Sequence, residues 1–417
     1  MSFLRSLFSG VSGLMSQQTM MDVIGNNIAN INTIGFKAGR ATFSELYAQT
    51  LRGATQPTTT NGGTNPMQVG LGTTVSSINT MFTQGAFQNT GVSTDLALSG
   101  PAFFIVNQNG QQLYTRVGSF QFDSNGMLTN PGTGAVVQGK LADAVGNIPS
   151  GTALQNIQIP ADTKGPAVAT TTAELSGNLD ASAAVGTAID TSILVYDSLG
   201  NQTNVKVTFT KTADNAWSWT ATAPAPATTA SSGTVTFNTD GSLNNVTGNP
   251  VVVTPGTGAP DISFTLNLGK PSATVPGNFS GLTQASGDSA VNLRNQDGSS
   301  SGTLQTISIE SSGIIRGAFS NGAKRALGQI MLAEFNNPSG LVKVGDDNWT
   351  VSGNSGTAAI VNPGGTTTIQ SNALEQSNVD LSQEFTNMIT AERGFQANAR
   401  VITTSDQILQ EVVNLIR

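Results

Sequence analysis

The chain has no cysteine and no histidine, and little charge of either sign. Without cysteine there is no disulfide, no thiolate metal site and no sulfur nucleophile. Without histidine the commonest acid–base group and the commonest metal ligand are missing, so a Ser-His-Asp triad and His- or Cys-based zinc sites are excluded. Charged residues make up 10% of the 417 and aromatics 6%, against about 25% charged in an ordinary soluble protein. The formal charge of −7 and the lack of a basic cluster argue against a nucleic-acid partner. No run of 18 apolar residues offers a membrane span. Beside the single basic residue Arg5, Ser and Gly break every apolar run, so no cleavable leader is expected.

Glycine (47) and proline (16) are plentiful, and Thr, Ser and Asn fill the middle of the chain. That mixture suits an all-β protein with many turns. "FFIVNQNGQQLYTR" (103–116) reads as a hairpin around Asn109-Gly110, and "SFQFDSNGMLT" (119–129) as another around Asn125-Gly126. "SILVYDSLGNQTNVKVTFTK" (192–211) places a turn, Asp197 to Asn201, between alternating strands. "WSWTAT" (217–222), "TVTFNTDGSL" (234–243) and "ISFTLNL" (262–268) continue the strand pattern, while the Thr-, Ala- and Pro-rich composition of 212–262 fits long outer loops of a β domain. Trp217 and Trp219 fall on one face by alternation, which suits a core and, less well, a sugar-stacking surface.

The two ends read differently. Leu7, Leu14, Met21 and Ile28 recur every seven residues, and Leu381, Met388, Phe395, Ile402, Leu409 and Ile416 do so over six heptads. Phe385, Ala399 and Val413 take the companion position. Asp380 followed by Gln383 resembles a capping box. Downstream of the first stripe, "NNIANINTIGFK" (26–37) collects weak helix formers, with Gly35 suited to a left-handed residue past a helix end. "TQPTTTNGGTNP" (55–66) and "SGNSGTAAIVNPGGTTTIQSN" (352–372) mark expected boundaries.

The expected fold is therefore mainly β with α-helical termini, built as nested discontinuous β domains plus coiled-coil-like N- and C-terminal helices. Residues 1–32 and 378–417 are expected to form the terminal helices, with 33–71 and 358–377 as connector. Residues 72–160 and 303–357 then make one β domain, and 161–302 an inserted outer β domain. No pair of carboxylates is marked for glycoside hydrolysis, and the Gly-rich stretches lack a phosphate-loop lysine, so neither enzyme activity nor a cofactor is expected.

Several segments resemble the flagellar rod and hook axial proteins. "ANINTIGFK", with Ala29, Asn30, Thr33, Gly35, Phe36 and Lys37, is similar to their A-N-x-x-T-x-G-F-K motif. "STDLALSGPAFFIV" (93–106) resembles their next segment, although Pro101 stands at a usual glycine. "ILVYDSLGN" (193–201), "GIIRGAFSNGAKRALGQIMLAEFNNPSGL" (313–341) and "ALEQSNVDLSQEFTNMITAERGFQANARVITTSDQILQ" (373–410) are closest to the hook members, with Glu392 at a usual Gln and Asn372 at a common Gly. The resemblance implies a helical homopolymer that joins rod to filament as a universal joint, its terminal helices lining a central channel. It also implies neighbours in the rod, the hook cap and the hook–filament junction. Export would run unfolded through the flagellar type III apparatus to an extracellular site, without a cleaved leader. A distal rod subunit and, in a different class, a secreted carbohydrate-binding or carbohydrate-cleaving β protein are the alternatives. The terminal stripes are expected to be disordered in the free subunit and ordered by neighbours.

Overall fold

The computed structural model describes residues 2–415 except 60, 144, 152, 230 and 272–278, with side chains described from Arg5 to Asn414. Helix α1 spans Ser2–Ala29 and helix α2 Leu381–Leu415, with β structure between them. Asp380 accepts bonds from the Ser382 and Gln383 amides, which satisfies the first free N–H groups of α2.

The Asn-Gly signals produce hairpins where expected. Strands Phe103–Gln108 and Gln111–Thr115 pair in antiparallel register, turned by Asn109 (φ 51°) and Gly110 (φ 83°). Both central residues at positive φ match the right-handed twist of the flanking strands. Strands Ala188–Tyr196 and Gln202–Ala213 flank the 197–201 turn. Asp197 is buried there and accepts bonds from the Leu199 and Asn201 amides.

Two separate β cores result. An inner sheet runs in the order 164–165, 302–309, 314–319, 324–330, 136–141, 103–108, 111–115, 348–350, 342–345. It closes over Leu98, Phe104, Phe120, Ile315 and Leu332, with a second cluster of Phe103, Tyr114, Phe335 and Trp349 on its other side. The outer core lies within residues 173–291, where a five-stranded and a six-stranded sheet share one interior containing Phe209, Trp217, Trp219, Phe264 and Leu282. Facing sheets that share side chains make a sandwich.

Between 164–168 and 299–303 two short paired segments lead from one core to the other. Asp297 clasps that passage by accepting the Thr171 and Thr172 amides, with the Thr171 hydroxyl on its other oxygen.

Several segments differ from their sequence reading. Residues 216–254 are largely strands of the sandwich, as the alternation in 217–222 and 234–243 predicts and in place of the long outer loops their composition suggests, because every second residue is buried. Residues 55–59 and 61–66 are not a boundary: they lie at the end of a long ribbon in which Gly39–Glu45 pairs with Thr73–Thr80 and Ala48–Arg52 with Met67–Gly70. Residues 73–80 thus belong to this ribbon, outside the inner sheet. Residues 358–377 are not a free connector. Ala359–Val361 pairs with Leu332–Glu334, Thr368–Ser371 with Leu96–Ser99, and Ala373–Glu375 with Phe87–Asn89. Polar composition hid these strands, whose stability comes from ladder bonds to distant partners.

Candidate assembly surface

α1 and α2 lie antiparallel against one another. A side chain at Gly10 would meet Ile402, one at Gly13 would meet Asn398, and one at Gly394 would meet Gln17. Glu384 lies beside Asn27 near the other end of the pair, and burial there, with the Asp380 charge, pushes its pKa up. Close approach of two backbones needs small residues. Gly10, Gly13, Ala391 and Gly394 supply them, with Ala391 fully buried.

The heptad residues flank this seam. Leu7, Leu14, Met21 and Ile28 on α1, and Met388, Phe395, Ile402 and Leu409 on α2, are half-buried along its edges. Leu381 is exposed, and Ile416 lies outside the described residues. The companion position is corrected: Phe385 and Val413 face away, and the period of seven that meets α1 runs through Ala391, Asn398 and Ser405. Scanning for large apolar residues missed the seam because its distinguishing property is lack of bulk. In the structure the two ends are paired helices within a single chain. They still leave large apolar surface open: Phe8 is 68% exposed, Met15 65%, Ile389 52% and Phe385 50%.

The motif that follows α1 is a junction built residue by residue. Ala29 ends the helix, and Asn30 turns its side-chain amide back to the Asn26 carbonyl, 2.9 Å away. Thr33 donates to the Asn30 side chain. Gly35 takes φ 73°, its α-carbon so near the Arg116–Val117 backbone that a Cβ would sit 2.9 Å from the Val117 nitrogen. A side chain is barred there both by the left-handed conformation and by the space. Phe36 is buried under the Lys343 ammonium, 4.7 Å from its ring centre.

Lys37 then enters a fully buried ion pair with Glu375, at 2.6 Å, while also donating to the Thr83 carbonyl. Arg116 faces the other carboxylate oxygen at 3.5 Å and stacks over Phe103. Glu375 accepts further bonds from Gln84 and from the Gly85 amide. Burial pulls the pKa values of Lys37 and Arg116 down, and the Glu375 charge opposes that. One carboxylate therefore holds the first connector, the inner sheet and the approach to α2 together. Asn378 adds a second stitch, accepting the Ala38 amide and donating to the Met81 carbonyl. Nothing in the sequence marked Glu375 or Asn378, since their partners lie more than 250 residues away.

The side chains proposed for other chemistry are otherwise engaged. Trp217 and Trp219 are wholly buried, leaving no ring face for a sugar. Among the described residues no group of three acidic side chains is arranged to hold a metal, and no helix is long and apolar enough to cross a membrane.

Comparison with known proteins places these features together. Four family descriptions match successive parts of the chain. They are flagella basal body rod protein over 7–37, the flagellar hook protein FlgE/F/G D1 domain over 97–172, the flagellar basal body protein FlaE D2 domain over 167–299, and the flagellar basal body rod FlgEFG protein C-terminal region over 370–415. Flagellar hook protein FlgE of Borreliella burgdorferi is 40% identical, with 99% of each chain covered. The chain belongs to the flagellar hook protein family. Flagellar hook protein FlgE of Salmonella typhimurium is 36% identical over 98% of this chain and all of its own. Flagellar basal-body rod protein FlgG of Bacillus subtilis matches 99% of this chain and all of its own at a lower identity, 30%. As a member of that family the chain is a structural subunit of the flagellar hook.

Proposed function

We propose that the chain polymerises through its terminal helix pair into the inner tube of the hook, with the two β cores carried outside it, and that the polymer bends while transmitting torque from rod to filament. The observation that carries this is the apolar surface left open on both helices after they have paired. Each such side chain left in water forgoes roughly 1.5–3 kcal/mol, and copies of the chain itself supply matching surface in a head-to-tail contact that does not close.

The same reading assigns the rod, the hook cap and the hook–filament junction as neighbours at the ends of the polymer. It assigns the flagellar type III apparatus as the export route, to an extracellular site. A chain with no cysteine suits passage in an unfolded state, because no cross-link can form on the way. Catalysis has no part in this function.

Electron microscopy of the purified chain after a polymerisation trial tests the reading. The unaltered chain is expected to give tubes, whereas Phe395→Asp and Ile402→Asp leave the melting of the β cores unchanged and give none. Tubes of ordinary length from both variants would overturn the role of the helices.

A further inference from the structure

The open apolar surface on the helix pair includes two compact patches at different heights, besides the exposed Val401, Ile408, Val412 and Val413 toward the end of α2. On α1, Phe8, Val11 and Met15 are exposed at i, i+3 and i+7, one face of the helix. On α2, Leu381, Phe385 and Ile389 are exposed at four-residue steps. Since Gly13 is level with Asn398 and Asn27 with Glu384, the second patch sits about fifteen residues along the pair from the first. At 1.5 Å per residue that is roughly 20 Å.

We propose that the Phe8–Val11–Met15 face of one copy packs against the Leu381–Phe385–Ile389 face of the next. This deepens the assembly reading above and rests on it. Pairing each patch with itself would relate two copies by a closing two-fold and end growth. Pairing one with the other repeats the same displacement at every step and continues without closure, as a hook subunit requires.

Copies stacked in one direction bring the rising α1 of one against the descending α2 of its neighbour. With Phe8 set beside Ile389, Val11 falls near Phe385 and Met15 near Leu381. The charges then agree. Arg5 lies one turn before Phe8 and Glu392 one turn after Ile389, so this alignment places a cation opposite an anion. Glu392 is exposed, and among the described residues its side chain is engaged by Gln396 of its own helix. Contacting copies are accordingly offset by roughly 20 Å along the helix axes.

The absence of native cysteine gives a clean test. Full-length F8C and I389C chains are mixed, polymerised and oxidised, beside a mixture of F8C with L381C. Cross-linked F8C–I389C pairs should dominate, with at least tenfold fewer F8C–L381C pairs. Polymers that give F8C–F8C pairs or no cross-link overturn the proposed pairing and leave the assembly reading standing, whereas an unaltered chain that forms no tubes strikes that reading itself. Charge reversal gives an independent check: R5E and E392R are each expected to cut polymer yield severalfold, and the R5E/E392R chain to recover it. A double variant as impaired as the two losses combined also overturns the pairing.

Discussion

The helix pair and the outer sandwich meet the same physical demand in opposite ways. In the sandwich the large residues are sealed: Trp217, Trp219, Phe209 and Phe264 are all buried, and strand alternation turns Thr and Ser outward. In the helix pair the small residues are inside and large ones outside. Gly13 and Gly394 face the partner helix while Phe8, Met15 and Phe385 face away. A side chain is buried for stability only where the fold is complete in one chain. The sandwich is complete, and on the assembly reading proposed above the helix pair is one piece of a larger core.

The sharpest way to break this contrast is at the junction that joins the two regimes. Glu375→Ala would leave Lys37 and Arg116 buried without their counter-charge. Removing one member of a buried pair costs about 3–5 kcal/mol. Denaturant melting should show a loss of that size, and tubes should fail even where the β cores remain folded, because the helix pair is no longer held to the inner sheet. A loss below about 1 kcal/mol would mean that the charge cluster does not bind these elements together.

Trp219→Ala sharpens the sandwich side. The ring is fully buried and its Nε1 donates to the Thr247 carbonyl at 3.1 Å. Truncation should cost about 3–5 kcal/mol and fall on the outer sandwich alone, read as a separate early transition in thermal melting. Joint melting of both cores would show that they are one cooperative unit.

Gly13→Val tests the helix side, and a smaller effect is expected. The added carbons would press on Asn398, already 2.6 Å from an ideal Cβ. Overpacking of this kind costs about 1–3 kcal/mol. Helix content by circular dichroism should fall slightly, and the critical concentration for tube formation should rise. An unchanged critical concentration would show that the seam opens without consequence for assembly.

Which features the sequence made legible follows the same division. The Asn109-Gly110 hairpin and the Asp197 turn were readable because each is decided by residues within five positions of one another. Asn372, standing at a common glycine, does adopt φ 60°, as its tolerance of the left-handed region allows. The terminal stripes were readable as periodicity, but their orientation was not. A hydrophobic heptad locates surface that must be covered without saying whether the same chain or a neighbour covers it. The seam of Gly10, Gly13, Ala391 and Gly394 carries no hydrophobic signal at all. Glu375 was hidden for a different reason: a lone acid among 25 acquires meaning only when folding brings Lys37 and Arg116 to it.

The smallest expected effect lies where the sandwich meets the inner sheet. Asp297 accepts the amides of Thr171 and Thr172, at 2.8 and 2.9 Å, and the Thr171 hydroxyl. Partial burial raises its pKa, but these hydrogen bonds outweigh that and hold it at about 2, against an ordinary 3.8. A carboxylate with a depressed folded pKa stabilises the fold above its unfolded value and loses that contribution as pH falls through the folded one. The clasp should therefore be intact above about pH 4 and gone near pH 2. Solvent at this exposed site screens the effect to about 1 kcal/mol or less. Thermal melting of the unaltered chain and of Asp297→Asn across that interval provides the measurement, and the difference between the two should shrink as the pH drops. A difference that stays constant from pH 5 to pH 2 would mean that the carboxylate's charge does no clasping, and that the paired segments 164–168 and 299–303 hold the sandwich in place unaided.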